Sequence, residues 1–335
     1  MKGKFTFRKK SCLSVWVLLI AFLGVSLPGM AQPANLYSFT ESSRTYTPIT
    51  GTSSSAAGDD GTENTLPIGF SFNYGGGTHT TFSVTTNGFI KLGGTITTGV
   101  PNYSNAIGAA PNAPLIAAFW DDNNLSGGNI QYLTSGTPGS QTLTVQWTNV
   151  HIGNGGSSST PTMSFQIILH ETSNNIVVVY GGASATLVSA TGAIGLTTAS
   201  GTYLSVTPGA PATASSTSAN NGISSASNLV SGTTYTFAPP PPCSGAPAIG
   251  QTTASVVNAC INTPFTLGVT GIANETGYNY QFESSPAGAN TWTALGTASA
   301  ASTYSVANQT SPTDYRVIVT CTNISQSTTA ALVSV

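Results

Sequence analysis

Alternating apolar and polar residues run through the middle of the chain and predict β-strands. The segment 68–74 has an apolar residue at every second position, and the same period of two appears at 143–147 and 165–169. Successive side chains of a strand point to opposite faces of the sheet, so this period places one apolar row on a buried face. Continuous apolar runs at 114–120 and 176–180 are typical of strands buried on both faces.

Turn signals separate these segments and indicate hairpins. Thr86-Asn-Gly-Phe89 lies between two alternating runs, and Asn-Gly favours the positive φ angles of a type I′ turn. Asn174-Asn175 offers a tight turn between Phe165–Glu171 and Ile176–Tyr180. We find no segment with a helical period and caps. The chain is therefore predicted to be all-β, and 46–49 is expected to form a short strand.

Four consecutive prolines, Pro239–Pro242, mark a boundary. Such a run favours an extended polyproline II spacer without sheet pairing. A further set of short alternating segments follows it, at the spacing of a small sandwich. We predict two β-sandwich domains, a large one over 33–238 and a smaller one over 243–335, with residues 239–242 as the spacer.

The N-terminus has the order of a secretory signal. Five of the eight basic residues lie within the first ten positions, an apolar run follows from Cys12 to Val25, and Gly29-Met-Ala31 supplies small residues before Gln32. We predict a signal peptide over 1–31 and a secreted or cell-surface protein. A membrane anchor is the alternative, but the apolar run is short for a span and no second run follows it.

Removing that signal leaves three basic side chains against ten acidic ones, a net charge of −7. Charged residues are only 5% of the chain, where about 25% is usual. Nucleic acids and anionic membranes are bound through several Lys or Arg contacts. The sequence therefore argues against both as partners.

Two resemblances to known families are carried by particular residues. Thr-Asn-Gly-Phe-Ile-Lys-Leu (86–92), Ala-Pro-Leu-Ile-Ala-Ala-Phe-Trp-Asp-Asp (113–122), Ser-Phe-Gln-Ile-Ile-Leu-His-Glu (164–171) and Ile-Val-Val-Val-Tyr (176–180) resemble the nidogen-type extracellular β-module. A version of that module heads many secreted surface proteins of gliding-type Gram-negative bacteria. The resemblance implies a noncatalytic extracellular module.

The region from Cys243 onward is similar to the immunoglobulin-like repeats of the same bacterial proteins. It matches at 242–247, 260–267, 280–282, 291–293 and 315–321, and departs from the pattern at Phe282, where Trp is usual, and at Val317, where many relatives carry Cys. The mature chain has three cysteines, Cys243, Cys260 and Cys321, so three pairings are open from the residues alone. The resemblance favours a Cys260–Cys321 disulfide.

Two acidic groups are candidate cation ligands. Asp121 and Asp122 directly follow Trp120, and Asp59, Asp60 and Glu63 form the other group. Ca²⁺ takes six to eight oxygen ligands, which carboxylates and loop carbonyls supply. We predict a structural Ca²⁺ site at Asp121 and Asp122, the one cofactor considered; the alternative is a solvated turn.

Catalytic motifs are absent from the sequence, and we predict that the protein is not an enzyme. No His-Glu-x-x-His or Gly-x-Ser-x-Gly occurs, and the three histidines are scattered. Asp121 or Asp122 with Glu171 is the one pair considered for glycosidase chemistry. Four aromatic residues are considered for sugar stacking: Tyr103, Tyr132, Tyr203 and Trp292.

The function expected from these features is a secreted, noncatalytic structural or adhesion module that binds extracellular polysaccharide or protein. Two alternatives remain open. One is an accessory N-terminal region of a larger secreted hydrolase. The other is a self-assembling surface fibre subunit, because few charged residues guard the sheet edges.

Overall fold

The computed structural model describes residues 33–153, 155–187, 189–259 and 263–335. The predicted signal peptide, 1–31, lies outside the described residues. Nearly all regular structure is β, with one 3₁₀ turn (Ala34–Leu36) and one four-residue helix, α1 (Val100–Tyr103). The prediction of an all-β fold is confirmed. In the described part of the chain, no helix is long and apolar enough to cross a membrane.

Among the described residues, the first sandwich contains fourteen strands. They are β1 (Ser38–Ser43), β2 (Thr52–Ser53), β3 (Thr62–Tyr74), β4 (Gly77–Thr85), β5 (Phe89–Leu92), β6 (Leu115–Trp120), β7 (Asn129–Ser135), β8 (Thr142–His151), β9 (Thr162–His170), β10 (Ile176–Ala183), β11 (Ala193–Ala199), β12 (Thr202–Thr207), β13 (Thr213–Ser215) and β14 (Thr233–Ala238).

These strands form two seven-stranded antiparallel sheets. Sheet I has the order β1-β14-β10-β9-β8-β7-β2, and sheet II has the order β13-β12-β11-β6-β5-β4-β3. The alternating segments supply the core between them, because Ile68, Phe72, Tyr74, Trp147 and Phe165 are fully buried. The period of two in the sequence therefore identified the inner faces correctly.

The predicted hairpins are present, with one difference in turn geometry. β4 pairs with β5 and β9 pairs with β10, both antiparallel. At the Asn-Gly turn only Gly88 adopts a positive φ, of 82°, so the turn is not of type I′. The Asn87 side chain is held by two hydrogen bonds, described below.

The outer face of sheet I is covered by an extended segment, 44–51, which we name the strap. It joins the two edge strands of the same sheet, since β1 precedes it and β2 follows it. Tyr46 packs on Ile168, Val177 and Val179. The predicted strand at 46–49 does not form, because side chains, not a neighbouring strand, hold this segment.

Two glutamines fix the strap to the sheet. Gln166 Nε2 donates to the Thr47 carbonyl at 2.8 Å, and the Ile49 amide donates to Gln146 Oε1 at 2.9 Å. The extended chain from Ser43 to Thr52 reaches about 30 Å, and six strand spacings amount to about 29 Å. The strap is thus just long enough to cross the sheet.

The outer face of sheet II carries a second, smaller core. Ile96, Ile107 and Ala110 come from the long loop between β5 and β6 and pack over Phe89 and Trp120. All six residues of β6 are buried. This cover explains why 114–120 is a continuous apolar run and not an alternating one.

The second sandwich contains eight strands within the part of the chain that the structure describes. They are β15 (Gln251–Ala254), β16 (Phe265–Thr270), β17 (Tyr278–Pro286), β18 (Thr293–Ala294), β19 (Tyr304–Val306), β20 (Thr313–Cys321), β21 (Gln326–Thr329) and β22 (Val333–Ser334). β15, β16 and β19 form one sheet, and the other five form the second. Its core is separate from that of the first sandwich and centres on Leu267, Val317 and Val319.

The proline segment is docked onto the second sandwich by a bridge between Pro242 and Thr276, whereas a spacer without sheet pairing was predicted. The Thr276 amide donates to the Pro241 carbonyl at 2.8 Å, and the Cys243 amide donates to the Thr276 carbonyl at 2.7 Å. Asn274 Nδ2 also donates to the Leu36 carbonyl of the first sandwich at 3.0 Å. These bonds hold the junction between the two sandwiches.

The disulfide joins Cys243 to Cys321, with 5.9 Å between their Cα atoms. The predicted Cys260–Cys321 bond is therefore wrong for this structure, and Cys260 lies outside the described residues. The physical reason is the docked proline segment. Pairing with Thr276 places Cys243 beside the start of β17, where Tyr278 is in register with Cys321.

Replacing Cys243 with Ser should strongly destabilise the second sandwich. The bond closes a loop over a sequence separation of 78 residues, and a loop of that size contributes about 4 kcal/mol in the chain-entropy treatment. Calorimetry should show a lower Tm for the second sandwich, and Cys260→Ser is the matched control. A Cys260–Cys321 linkage in nonreducing peptide maps would contradict the assignment.

Candidate functional site

The two acidic groups of the sequence meet at one end of the first sandwich. Asp59 and Asp60 lie in the loop before β3, and Asp122 is the second residue after the end of β6. A bridge between Asp59 and Asn124 and a 2.8 Å bond from the Leu125 amide to the Gly58 carbonyl join the two loops. Carboxylate oxygens of Asp59, Asp60 and Asp122 all lie within 4.8 Å of one another. We call these three residues the acidic cluster.

Asp121 does not belong to the acidic cluster, although it is adjacent in sequence. Its side chain is buried and accepts the Thr191 amide at 2.7 Å and the Thr191 hydroxyl at 3.0 Å. It also accepts the Asp122 amide at 3.0 Å. Asp121 therefore ties the β6 loop to the segment before β11, and this role satisfies its carboxylate.

Glu63, the third residue of the other acidic group, is also bound elsewhere. It accepts the Ser54 hydroxyl at 2.6 Å and the Ser55 amide at 2.8 Å. Its carboxylate therefore fixes the turn after β2 and does not complete the acidic cluster.

Two buried asparagines, Asn87 and Asn102, hold Asp60 of the acidic cluster by hydrogen bonds. Asn87 Nδ2 donates to Asp60 Oδ1 at 2.7 Å, and Asn87 Oδ1 accepts the buried amide of Asn123 at 2.7 Å. Asn102 Nδ2 donates to the Asp60 carbonyl at 3.0 Å. The polar end of the sandwich is therefore organised by amides that are themselves fully buried.

Burial and mutual repulsion raise the pKa values of Asp59 and Asp122 in the acidic cluster. Desolvation, followed by the charges of Asp59, Asp60 and Asp121, raises the pKa of Asp122 to about 6. Desolvation and the charge of Asp60 also raise the pKa of Asp59. Burial raises the pKa of Asp121 as well, opposed by its bonds from Thr191 and Asp122. The cluster is thus a place where negative charge is costly in the absence of a counter-charge.

Glu171 is held far from the cluster, so the considered glycosidase pair is not assembled. It accepts the amides of Gly139 at 2.7 Å and Gln141 at 2.9 Å, just before β8 begins. The acidic cluster lies near the other end of β8, because Asn124, which pairs with Asp59, also forms an isolated β-bridge with His151, the last residue of β8. A ten-residue strand separates the two ends by about 30 Å.

The aromatic candidates have neighbours that limit stacking on a sugar. Tyr132 packs edge-to-face on Phe82, with 5.5 Å between ring centroids. Arg316 lies 4.2 Å from the centroid of the Trp292 ring and also pairs with Glu283 at 2.7 Å. Tyr103 and Tyr203 are partly buried.

Comparison with known families identifies the first sandwich. A family model described as NIDO related matches residues 36–239, more than half of the chain. The chain belongs to the NIDO-related family. The match confirms the nidogen-type resemblance and ends where the proline segment begins. No curated protein matches the chain.

Sequence reasoning missed the supporting residues of this NIDO-related sandwich. In the sequence Asn87 is recognisable only as a turn residue, and nothing marks Asn102 or Thr191. One signal was available, since both acidic groups lie next to Asn or Gly in loops. Nothing in the linear order showed that the loops before β3 and after β6 meet.

Replacing Asn87 with Ala should destabilise the NIDO-related sandwich by about 1–3 kcal/mol, because the buried Asn123 amide loses its acceptor. Urea denaturation of the mature chain measures this change. Asn228→Ala is the control, since Asn228 is exposed. Equal stability of the two variants would contradict the supporting role of Asn87.

The raised pKa of Asp122 predicts how the stability of the folded protein changes with pH. Its folded pKa of about 6 lies above the ordinary value of 3.8, so protonation favours the folded state. Its favourable contribution to the free energy of unfolding is complete below pH ~3.8 and is lost as the pH rises through about 6. Asp122→Asn should therefore raise the Tm at pH 7.5 in EDTA and have little effect at pH 3.5.

The Asp59→Asn background provides the control for that measurement. Removing the Asp59 charge should reduce the effect of Asp122→Asn at pH 7.5, because the two carboxylates repel each other. A Tm gain that is the same at both pH values would contradict the titration of Asp122.

The Ca²⁺ site stays a prediction, and only Asp122 of its two proposed ligands lies in the acidic cluster. Millimolar Ca²⁺ should raise the Tm if the folded state alone binds it. Differential scanning calorimetry with Ca²⁺ and with EDTA measures the shift, and Asp122→Asn should abolish it. An unchanged Tm in Ca²⁺ would leave these acids as a solvated turn.

Proposed function

We propose that the protein is a secreted, surface-associated, noncatalytic module that binds polysaccharide or protein. The observation that carries this proposal is the NIDO-related match over a sandwich whose central strands are covered on both outer faces. The loops at the sandwich ends connect these covered strands and are the surfaces we favour for binding. Loops on a rigid scaffold are the usual place for recognition.

The second sandwich enters the proposal as an immunoglobulin-like repeat of the kind found in surface proteins of gliding-type bacteria. Its support is a pair of packed sheets of three and five strands with a disulfide from the linker to β20. Such an arrangement suits a spacer that presents the first sandwich away from the cell surface.

Secretion and binding are tested together with the full-length chain expressed in a Gram-negative host. The mature protein should appear outside the cytoplasm with residue 32 at its N-terminus, by fractionation and mass spectrometry. The purified protein should then bind immobilised polysaccharides or extracellular proteins. Cytoplasmic retention, or turnover of a substrate in place of binding, would overturn the proposal.

A self-assembling fibre subunit is the second candidate, and the edge of sheet II disfavours it. On the edge strand β3, Pro67 has no amide hydrogen, the Asn73 amide donates to Asn174 Oδ1, and the Ile68 carbonyl accepts the Thr134 hydroxyl. These groups are unavailable to an added strand. Light scattering should show a monomer, and concentration-dependent growth would favour the fibre.

The third candidate, an accessory region of a larger hydrolase, concerns residues beyond those of this chain. Reading the gene downstream of residue 335 tests it. A continuing reading frame with a catalytic domain would favour this candidate over an independent adhesion module.

A further inference from the structure

A cleft of about 330 Å³ lies at the junction of the two sandwiches. One wall is formed by Pro33 and Leu36 of the first sandwich, and the other by Glu275, Tyr278 and Tyr280 with the segment 300–303 of the second. Its volume lies at the lower end of the range of small-molecule sites, which often occur at domain interfaces.

The walls of the cleft are held in place by hydrogen bonds. Asn274 Nδ2 reaches the Leu36 carbonyl across the junction at 3.0 Å. The Tyr280 amide donates to the Ser299 carbonyl at 2.7 Å, which positions the 300–303 segment against β17. The disulfide and the docked proline segment are attached to the same region through Cys243 and Thr276. The cleft is therefore lined by segments that hydrogen bonds hold in place, including one bond across the junction.

The side chains that line the cleft offer aromatic rings and several oxygen atoms. Tyr278 and Tyr280 meet edge-to-face, with 6.4 Å between centroids, and Tyr280 is the more exposed of the two. The Tyr278 hydroxyl donates to Glu275 Oε2, which leaves the other carboxylate oxygen of Glu275 as a charged acceptor. Ser302 and Thr303 add hydroxyl groups at the rim.

The charge of the cleft restricts the ligand. Glu275 contributes a negative charge, and none of the three basic side chains of the mature chain lines the cleft. Arg316, the basic residue of the second sandwich, is paired with Glu283. Glu275 would repel an anionic ligand, whereas a neutral polyol offers hydroxyl donors to Glu275 and C–H groups to the Tyr280 ring.

We propose that this cleft binds one pyranose residue of a neutral polysaccharide, with Tyr280 as the stacking surface and Glu275 as the hydroxyl acceptor. The proposal rests on the binding function proposed above and names its site and ligand class. Tyr280 differs from the aromatic residues considered from the sequence because Glu275, Ser302 and Thr303 line the same cleft.

Affinity electrophoresis of the mature chain in gels containing amylose, laminarin, mannan or xylan tests the proposal, with alginate as the anionic comparison. At least one neutral polysaccharide should retard the protein, and alginate should not. Tyr280→Ala and Glu275→Gln should each weaken that binding by about tenfold, the ratio that corresponds to the loss of one aromatic or charge-assisted contact.

Two control variants separate the cleft from general effects. Tyr280→Phe keeps the ring and should bind like the wild type, which shows that a loss in Tyr280→Ala is a loss of stacking. Trp292→Ala removes an aromatic residue of the same sandwich outside the cleft and should also bind like the wild type. Circular dichroism and Tm measurements confirm that each variant is folded.

The outcomes separate this proposal from the proposed function. If a neutral polysaccharide is bound equally by wild type, Tyr280→Ala and Glu275→Gln, the cleft assignment is overturned while the adhesion function stands. Binding to protein ligands alone, or to alginate alone, also overturns the cleft assignment and leaves the adhesion function standing. If the wild type binds no polysaccharide and no extracellular protein, both proposals fail.

Discussion

Buried aromatic side chains whose polar atoms reach across the core hold the two sheets of the first sandwich together. The Trp147 indole on sheet I donates to the Thr85 carbonyl on sheet II at 2.9 Å, and the Tyr180 hydroxyl on sheet I donates to the Ala118 carbonyl on sheet II at 2.7 Å. A buried N–H or O–H without a partner costs free energy. Both bonds require a particular relative placement of the two sheets, which apolar contact alone would not specify.

The same requirement shapes the end of the sandwich that carries the acidic cluster. The Trp120 indole donates to the Asn102 carbonyl at 2.8 Å, and the Asn102 side chain accepts the Thr85 hydroxyl at 2.7 Å. Asn102 in turn holds the loop of Asp60. The positions of Asp59 and Asp60 are thus fixed through a continuous hydrogen-bonded path to the core. Local repulsion between carboxylates persists here because the surrounding structure determines the loop positions, as is common at functional sites.

This protein has few charged residues that could keep its sheet edges from pairing with other chains, so other features must do so. Sheet I is crossed by the strap, which links both of its edge strands, and the central strands of sheet II are covered by the loop between β5 and β6. The long edge strand β3 is protected by Pro67 and by side-chain bonds from Asn174 and Thr134. These features replace the lysines that usually guard edges.

The sequence by itself determined the all-β class, the inner faces of most strands, the hairpins and the nidogen-type resemblance that the family match confirms. These properties are local, because a period of two or an Asn-Gly turn is set by neighbouring residues. Only the tertiary structure decided that Asp122 joins Asp59 and Asp60 while Asp121 binds Thr191, that Cys321 pairs with Cys243, and that Tyr280 lines a cleft. Each depends on segments far apart in the chain being brought together by packing, and no local pattern encodes that distance.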